Sequence, residues 1–293
     1  MSARELTVLA DDGALLAVQV HDPADGPDDE VTTLVLAHGW TLSHRTWDPV
    51  VAGLAGRPGL RVVTWDQRGH GRSTLARGRR RPRGVSVRRL AADLRTVVDA
   101  TAPEGPLVLA GHSMGGMTVM ALAGRDPGLV TRRVRGVALV ATSAGGLAEG
   151  TRPAQRWGAR LAAHAPAVPL GRTITLQGQR ALLFGEHADP GAVAATRDQV
   201  AATRLASFGG FYGALMAHDE VASLAVLADV PVTVLVGTRD RLTPERHARA
   251  LVAALPHARL EVLDGAGHML PYEATGEVTA AIADLLVPVS SGG

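Results

Sequence analysis

The chain has no cysteine and no lysine; all thirty of its basic residues are arginine. Without a lysine amine there is no Schiff-base or pyridoxal phosphate linkage, no phosphate-loop lysine and no Ser–Lys dyad. Without a thiol there is no cysteine nucleophile, disulfide, thiolate zinc site or iron–sulfur cluster. The eleven histidines show no His-Glu-x-x-His or similar pair on one helical face, so neither a metal nor a cofactor is expected. Aromatic residues make up only 3% of the chain. No run of about 18 apolar residues occurs, and residues 1–12 lack a basic stretch followed by an apolar one. No stable membrane insertion is expected, and the chain reads as soluble and cytoplasmic.

The sequence isoelectric point of about 9.8 suggests an anionic partner, yet the formal charge is only +2. With neither lysine nor cysteine to titrate between histidine and arginine, a small basic surplus moves the isoelectric point far upward. Residues 77–83, Arg-Gly-Arg-Arg-Arg-Pro-Arg, form the one concentrated basic run. No aromatic residue interleaves it for base stacking, so a solvated loop is expected rather than a nucleic-acid site.

What the chain does contain is Leu107-Val108-Leu109-Ala110-Gly111-His112-Ser113-Met114-Gly115-Gly116, an apolar strand running through Gly-x-Ser-x-Gly into a helical segment. A serine on such a turn is forced into a strained conformation at the carboxyl edge of a sheet, with glycines admitting the neighbouring backbone. Ser113 is therefore the candidate nucleophile. It needs a base and a group that orients the base, and both are sought at strand ends downstream. The strand Leu260-Glu261-Val262-Leu263 ends in Asp264-Gly265-Ala266-Gly267-His268, making His268 the candidate base. Pro231-Val232-Thr233-Val234-Leu235-Val236-Gly237 reads as a buried strand with Thr238-Arg239-Asp240 at its carboxyl end, making Asp240 the candidate acid. Asp219 and Asp264 are the fallbacks, and an ion pair with Arg239 or Arg241 is the competing use of Asp240. Donors for an oxyanion are sought in Met114, which follows the serine, and in Trp40 of His38-Gly39-Trp40 after the strand Thr33-Leu34-Val35-Leu36-Ala37. His38 is read as a brace for that loop and His112 as structural.

Strands are expected at 5–10, 15–21, 31–37, 61–65, 106–110, 134–141, 230–236 and 259–263, the first two as an antiparallel hairpin around Asp11-Asp12-Gly13. Helices are expected at 48–55, 87–100, 117–125, 244–255 and 273–286. This alternation specifies an α/β class with a doubly wound, mostly parallel sheet and helices on both faces. The interval 144–229 breaks the alternation with helical patterns but no convincing buried strand. It is expected to form a helical cap, leaving residues 1–143 and 230–293 as the core domain. Phe208, Phe211 and Met216 of this interval are the candidate substrate-binding residues, with glycines at 209 and 210 between the two aromatics. Residues 290–293 are read as a short tail.

The matching segments, His38-Gly39-Trp40, Asp66-Gln67-Arg68-Gly69-His70-Gly71-Arg72-Ser73, 111–116, 237–240 and 265–268, resemble the α/β-hydrolase superfamily over nearly the whole chain. That resemblance implies an eight-stranded, mostly parallel sheet, a cap after the sixth strand, and Ser113, Asp240 and His268 as the triad. Because epoxide hydrolases and haloalkane dehalogenases carry aspartate at the nucleophile position, this chain looks like the esterase, lipase, thioesterase or cofactor-free haloperoxidase branch. The reading adopted is a serine hydrolase that cleaves a carboxylic ester through an acyl-enzyme, acting on a small, largely apolar ester or acyl substrate. Two alternatives stand beside it: a carbon–carbon hydrolase, cyclase or lyase on the same scaffold, and a ligand receptor that retains the triad.

Overall fold

The computed structural model describes residues 2–23, 31–82, 84–149, 153–165, 168–171 and 175–287. Eight strands form one sheet in the order β1-β2-β4-β3-β5-β6-β7-β8. The hairpin β1 (Ser2–Leu9) and β2 (Leu15–Asp22) is antiparallel, and β2 joins β4 (Leu60–Trp65) antiparallel. From β4 through β3 (Thr32–Ala37), β5 (Leu107–His112), β6 (Val134–Val140), β7 (Val232–Gly237) and β8 (Arg259–Leu263), every pairing is parallel. The chain steps from β3 outward to β4 and then returns to β5 on the other side of β3, so the strand order reverses between β3 and β5. A crevice opens beyond the strand ends at such a reversal, and it lies between the loop that carries Trp40 and the β5 end that carries Ser113.

The central strands are apolar throughout because both faces are covered. Val35 and Ala37 of β3, Leu107 and Leu109 of β5, and Val137 and Leu139 of β6 pack with α2 (Val87–Thr101), α3 (Met114–Arg125) and α9 (Glu245–Ala254). Their neighbours Leu34, Leu36, Val108, Ala110, Ala138 and Val140 point to the opposite face, against α1 (Asp48–Leu54) and α11 (Thr275–Leu286). The alternation follows from the two-residue period of a strand, and each fully buried Leu or Val contributes about 1.5–3 kcal/mol of transfer free energy. By contrast β8 is an edge strand, and its Val262 is 39% exposed.

Three elements differ from expectation. The helix after the serine begins at Met114, where the strand–serine–helix pattern puts its N-terminus and three residues before the span 117–125 that periodicity gives, and β5 runs on through His112, so strand, serine and helix follow one another without a loop. Glycines 115 and 116 read as helix breakers locally, but they admit close packing that outweighs their low propensity. The helix expected at 273–286 is α11, and a short helix α10 (Leu270–Glu273) precedes it across a break at Ala274 (φ −136°, ψ 48°). An additional helix, α4 (Pro127–Arg133), follows Asp126, whose side chain accepts the Leu129 N–H at 2.9 Å, with Pro127 at the first helical position.

Between β6 and β7 the chain forms α5 (Pro153–Ala163), α6 (Leu176–Leu183), α7 (Pro190–Ala202) and α8 (Leu205–Met216), with one isolated antiparallel bridge, Pro169 to Arg204. Helix α5 packs on α8, and Phe184, Val193 and Val200 meet Leu42 and Met269 in a separate small apolar cluster. In the basic run, Arg77, Arg79, Arg80 and Arg81 are exposed; Arg83 lies outside the described residues, as does the tail 290–293. Among the described residues no helix is long and apolar enough to cross a membrane.

Candidate active site

Ser113 is the residue between β5 and α3, with φ 53° and ψ −118°, a region few side-chain-bearing residues occupy. The surroundings hold it there. Its N–H donates to Val140 O at 2.9 Å, and its carbonyl accepts the Thr142 hydroxyl at 2.7 Å and the Gly116 N–H at 2.9 Å. A Cβ on Gly111 would come within 2.3 Å of the Gly115–Gly116 backbone, and one on Gly115 within 2.0 Å of Ala37 O. Glycine at these two positions is therefore a requirement of the close approach between β3, β5 and α3. The serine is 9% exposed and sits at the N-terminus of α3, where unpaired N–H groups and the helix dipole favour negative charge.

Asp240 and His268 meet: His268 Nδ1 donates to Asp240 Oδ2 at 2.8 Å. Asp240 Oδ1 also accepts the N–H groups of Leu242 (2.8 Å) and Thr243 (2.9 Å), and the Thr243 hydroxyl donates to Oδ2 at 2.8 Å. Burial alone would raise the Asp240 pKa, but the charge of His268 and the hydrogen bonds from His268 and Thr243 outweigh it and hold the carboxyl at about 2. Asp240 is thus an anion, and its bond to Nδ1–H leaves His268 Nε2 as the free basic nitrogen. The competing uses fall away: Arg239 pairs with Glu186, and Arg241 donates to Ala181 O. Both fallback acids are exposed and engaged elsewhere, Asp219 with Val221 N–H and Asp264 with the Thr238 hydroxyl.

The histidine loop and the serine turn are joined through His112. Its Nε2–H donates to His268 O at 2.8 Å, and the two rings lie 4.9 Å apart. Burial lowers the His112 pKa to about 3, so it is a neutral strut, as its position one residue before the serine suggests. Among the described residues no hydrogen bond joins the Ser113 hydroxyl to His268; such bonds often tighten only on substrate binding. Two further supports are absent from the motifs. The Glu273 carboxylate accepts N–H groups from Gly185 (2.6 Å), Gly267 (3.0 Å) and Met269 (2.9 Å), clamping the loop on both sides of His268. The His268 N–H itself donates to Leu183 O at 2.8 Å, the last residue of α6.

Across the crevice, His38 is fully buried, with its pKa lowered to about 4 by burial. Its Nδ1–H donates to Gly39 O at 2.7 Å. A Cβ on Gly39 would lie 2.9 Å from His112 Nδ1, so the Trp40 loop abuts the serine turn. The Trp40 ring stacks with Phe208 (centroids 4.4 Å apart) and approaches Tyr212 (5.9 Å), which places α8 over this loop. Phe211 lies differently: it is fully buried, edge-on to His70 at 4.6 Å. Met216 lines a cavity of about 580 Å³ between α5, α8, Pro82 and residues 84–88, together with Tyr212, Arg88 and His218. Neither Ser113 nor His268 contributes to the walls of that cavity.

The model of the serine aminopeptidase S33 family matches residues 28–275, which includes every residue of this constellation. The chain belongs to that family. It has the α/β-hydrolase architecture, and it is a serine hydrolase of that superfamily. It is 32% identical over 251 residues, 80% of this chain and 90% of the other, to a pimeloyl-[acyl-carrier protein] methyl ester esterase of Aromatoleum aromaticum. It is 29% identical to a putative carbamate hydrolase of Variovorax paradoxus, covering 95% of this chain and 98% of that one. Among solved structures, an enol-lactonase from Burkholderia xenovorans LB400 superposes with a TM-score of 0.74 at 25% identity, over 97% of this chain and 99% of that one.

Proposed function

We propose that this protein is a carboxylic-ester hydrolase working through an acyl-enzyme on Ser113, with His268 as base and Asp240 as the orienting acid. The observation that carries the reading is the buried 2.8 Å bond between anionic Asp240 and His268 Nδ1, in a loop strapped to the strained serine turn. In this reading Ser113 Oγ bonds to the carbonyl carbon as its proton passes to His268 Nε2. The carbonyl oxygen takes up the negative charge and is met by the Trp40 and Met114 N–H groups. Collapse breaks the ester C–O bond, and the departing alcohol takes the proton from His268. Water, deprotonated by the same nitrogen, then releases the acid and restores the serine. Asp240 keeps the imidazole in the Nδ1–H tautomer and stabilises its cation without itself becoming protonated.

The substrate class follows from the walls. Residues 144–229 act as a cap, and the Trp40–Phe208–Tyr212 cluster at the crevice is aromatic. That favours a small to medium, largely apolar acyl or alcohol group. Relatives named for a methyl ester and an enol-lactone support an oxygen ester as the substrate. The test is hydrolysis of p-nitrophenyl esters from acetate to octanoate. Turnover that falls to background in Ser113→Ala is the expected result. No turnover of any chain length by the wild type, or turnover retained in Ser113→Ala, overturns the reading.

A further inference from the structure

The two N–H groups assigned to the oxyanion come from separate segments, Trp40 after β3 and Met114 at the start of α3. Such donors stabilise a developing charge only if they are held in place before reaction, because donors that must reorganise give back what they contribute. Gln67, fully buried just beyond β4, touches the support of each. Its Nε2 donates to His38 O at 2.5 Å, its main-chain N–H donates to His38 Nε2 at 2.9 Å, and its Oε1 accepts the Thr118 hydroxyl at 2.8 Å.

Each bond has one consistent direction. Turning the amide over would set Oε1 against His38 O, acceptor against acceptor, so the nitrogen faces His38. Thr118 has a single hydroxyl proton and two acceptors in reach, Gln67 Oε1 and Met114 O at 2.9 Å. Met114 O lies four residues earlier in the same helix, where it receives the Thr118 N–H, whereas Gln67 Oε1 has no other donor among the described residues. The hydroxyl proton therefore serves Gln67. On the other side, the Gln67 N–H occupies the Nε2 lone pair of His38, which places the His38 proton on Nδ1, where it donates to Gly39 O. Gly39 C=O and Trp40 N–H belong to one planar trans peptide and point in opposite directions. Fixing the carbonyl aims the Trp40 N–H.

We propose that Gln67 is a positioning residue that sets the separation of the two oxyanion donors, holding Trp40 through His38 and, through Thr118 one turn along α3, the start of the helix that carries Met114. The inference rests on the serine-hydrolase reading of Ser113. A packing role alone would be met by methionine, which fills the same volume without the amide.

The test is the rate at which a small fluorophosphonate labels Ser113, followed by intact-protein mass, since the phosphonyl oxygen occupies the oxyanion position in the adduct. Gln67→Met and Thr118→Val should each label about 10- to 100-fold more slowly. On p-nitrophenyl esters, kcat should fall by the same factor while KM changes less than about twofold. Thr118→Ser, which restores the donor, should recover most of the rate, and the double variant should label no more slowly than the slower single one. Should Gln67→Met fail to fold, the Thr118→Val and Thr118→Ser pair decides alone. Wild-type labelling rates in folded Gln67→Met or Thr118→Val overturn the proposal while leaving the serine-hydrolase reading intact. A wild-type protein that is not labelled at Ser113 overturns both.

Discussion

The chemistry proposed here depends on a few atoms whose surroundings are unusually well specified. Asp240 accepts four hydrogen bonds, from His268 Nδ1, from two main-chain N–H groups and from the Thr243 hydroxyl, so its charge is fully compensated in a buried site. Replacing it with asparagine keeps shape but permits the amide to present N–H to the imidazole and select the wrong tautomer. Asp240→Asn should lower kcat by roughly 10⁴ with the fold intact. Steady-state rates beside Asp219→Asn and Asp264→Asn check this; a greater loss in either of those would move the acid elsewhere. The strained position of Ser113 and the meeting of Asp240 with His268 were legible from short motifs because each of the three residues lies just beyond the end of an apolar strand. Gln67, Thr243 and Glu273 were not. Gln67 has partners 29 and 51 residues away and Glu273 one 88 residues away, distances that no local pattern spans, while Thr243, only three residues from Asp240, carries no motif of its own.

At the level of elements, the strand–serine–helix unit and the inserted helices respond to different changes. Gly115→Ala puts a methyl group 2.0 Å from Ala37 O, a backbone atom that cannot rotate away. The variant should lose about 1–3 kcal/mol of stability in urea unfolding and label more slowly at Ser113; an unchanged midpoint would mean that β3 and α3 are less tightly joined than the geometry requires. In α8 the two phenylalanines should part company. Phe208, stacked on Trp40, is expected to shift kcat/KM among acyl chain lengths by about 1–3 kcal/mol on truncation to alanine. Phe211→Ala, which empties a fully buried space beside His70, should instead cost about 3–5 kcal/mol of stability. Chain-length profiles and urea midpoints measured on both variants separate the roles, and identical behaviour would refute the assignment. Helix and strand identities in the core were legible from periodicity, whereas the start of α3 at Met114 was legible from the serine turn and not from periodicity. Glycines 115 and 116 act there through what they allow to approach, and propensity does not register that.

Across the whole molecule, the reversal of strand order between β3 and β5 brings the Trp40 loop and Ser113 to one crevice. Around that crevice the fold buries three histidines in neutral form. His38 titrates at about 4, and His70 and His112 at about 3, against an ordinary value of 6.5, because burial disfavours their charged forms. Between pH 6.5 and about 4 the unfolded chain therefore binds protons that the folded chain does not, and stability falls as pH drops through that window. Near pH 5 the slope should approach about 4 kcal/mol per pH unit, roughly 1.4 for each histidine. Asp66 and Asp240, both held at about 2 against 3.8, contribute stability that is present above 3.8 and lost as pH falls toward 2. Urea unfolding at pH 7.5, 5.5 and 4.5 checks the sign, and constant stability over that range would contradict it. The central claim, that one activated serine carries the reaction, is tested most directly by treating the protein with a fluorophosphonate and mapping the adduct by mass spectrometry. A single adduct on Ser113, abolished in Ser113→Ala and slowed by orders of magnitude in His268→Ala, is the expected result; labelling at another residue, or none, would contradict it.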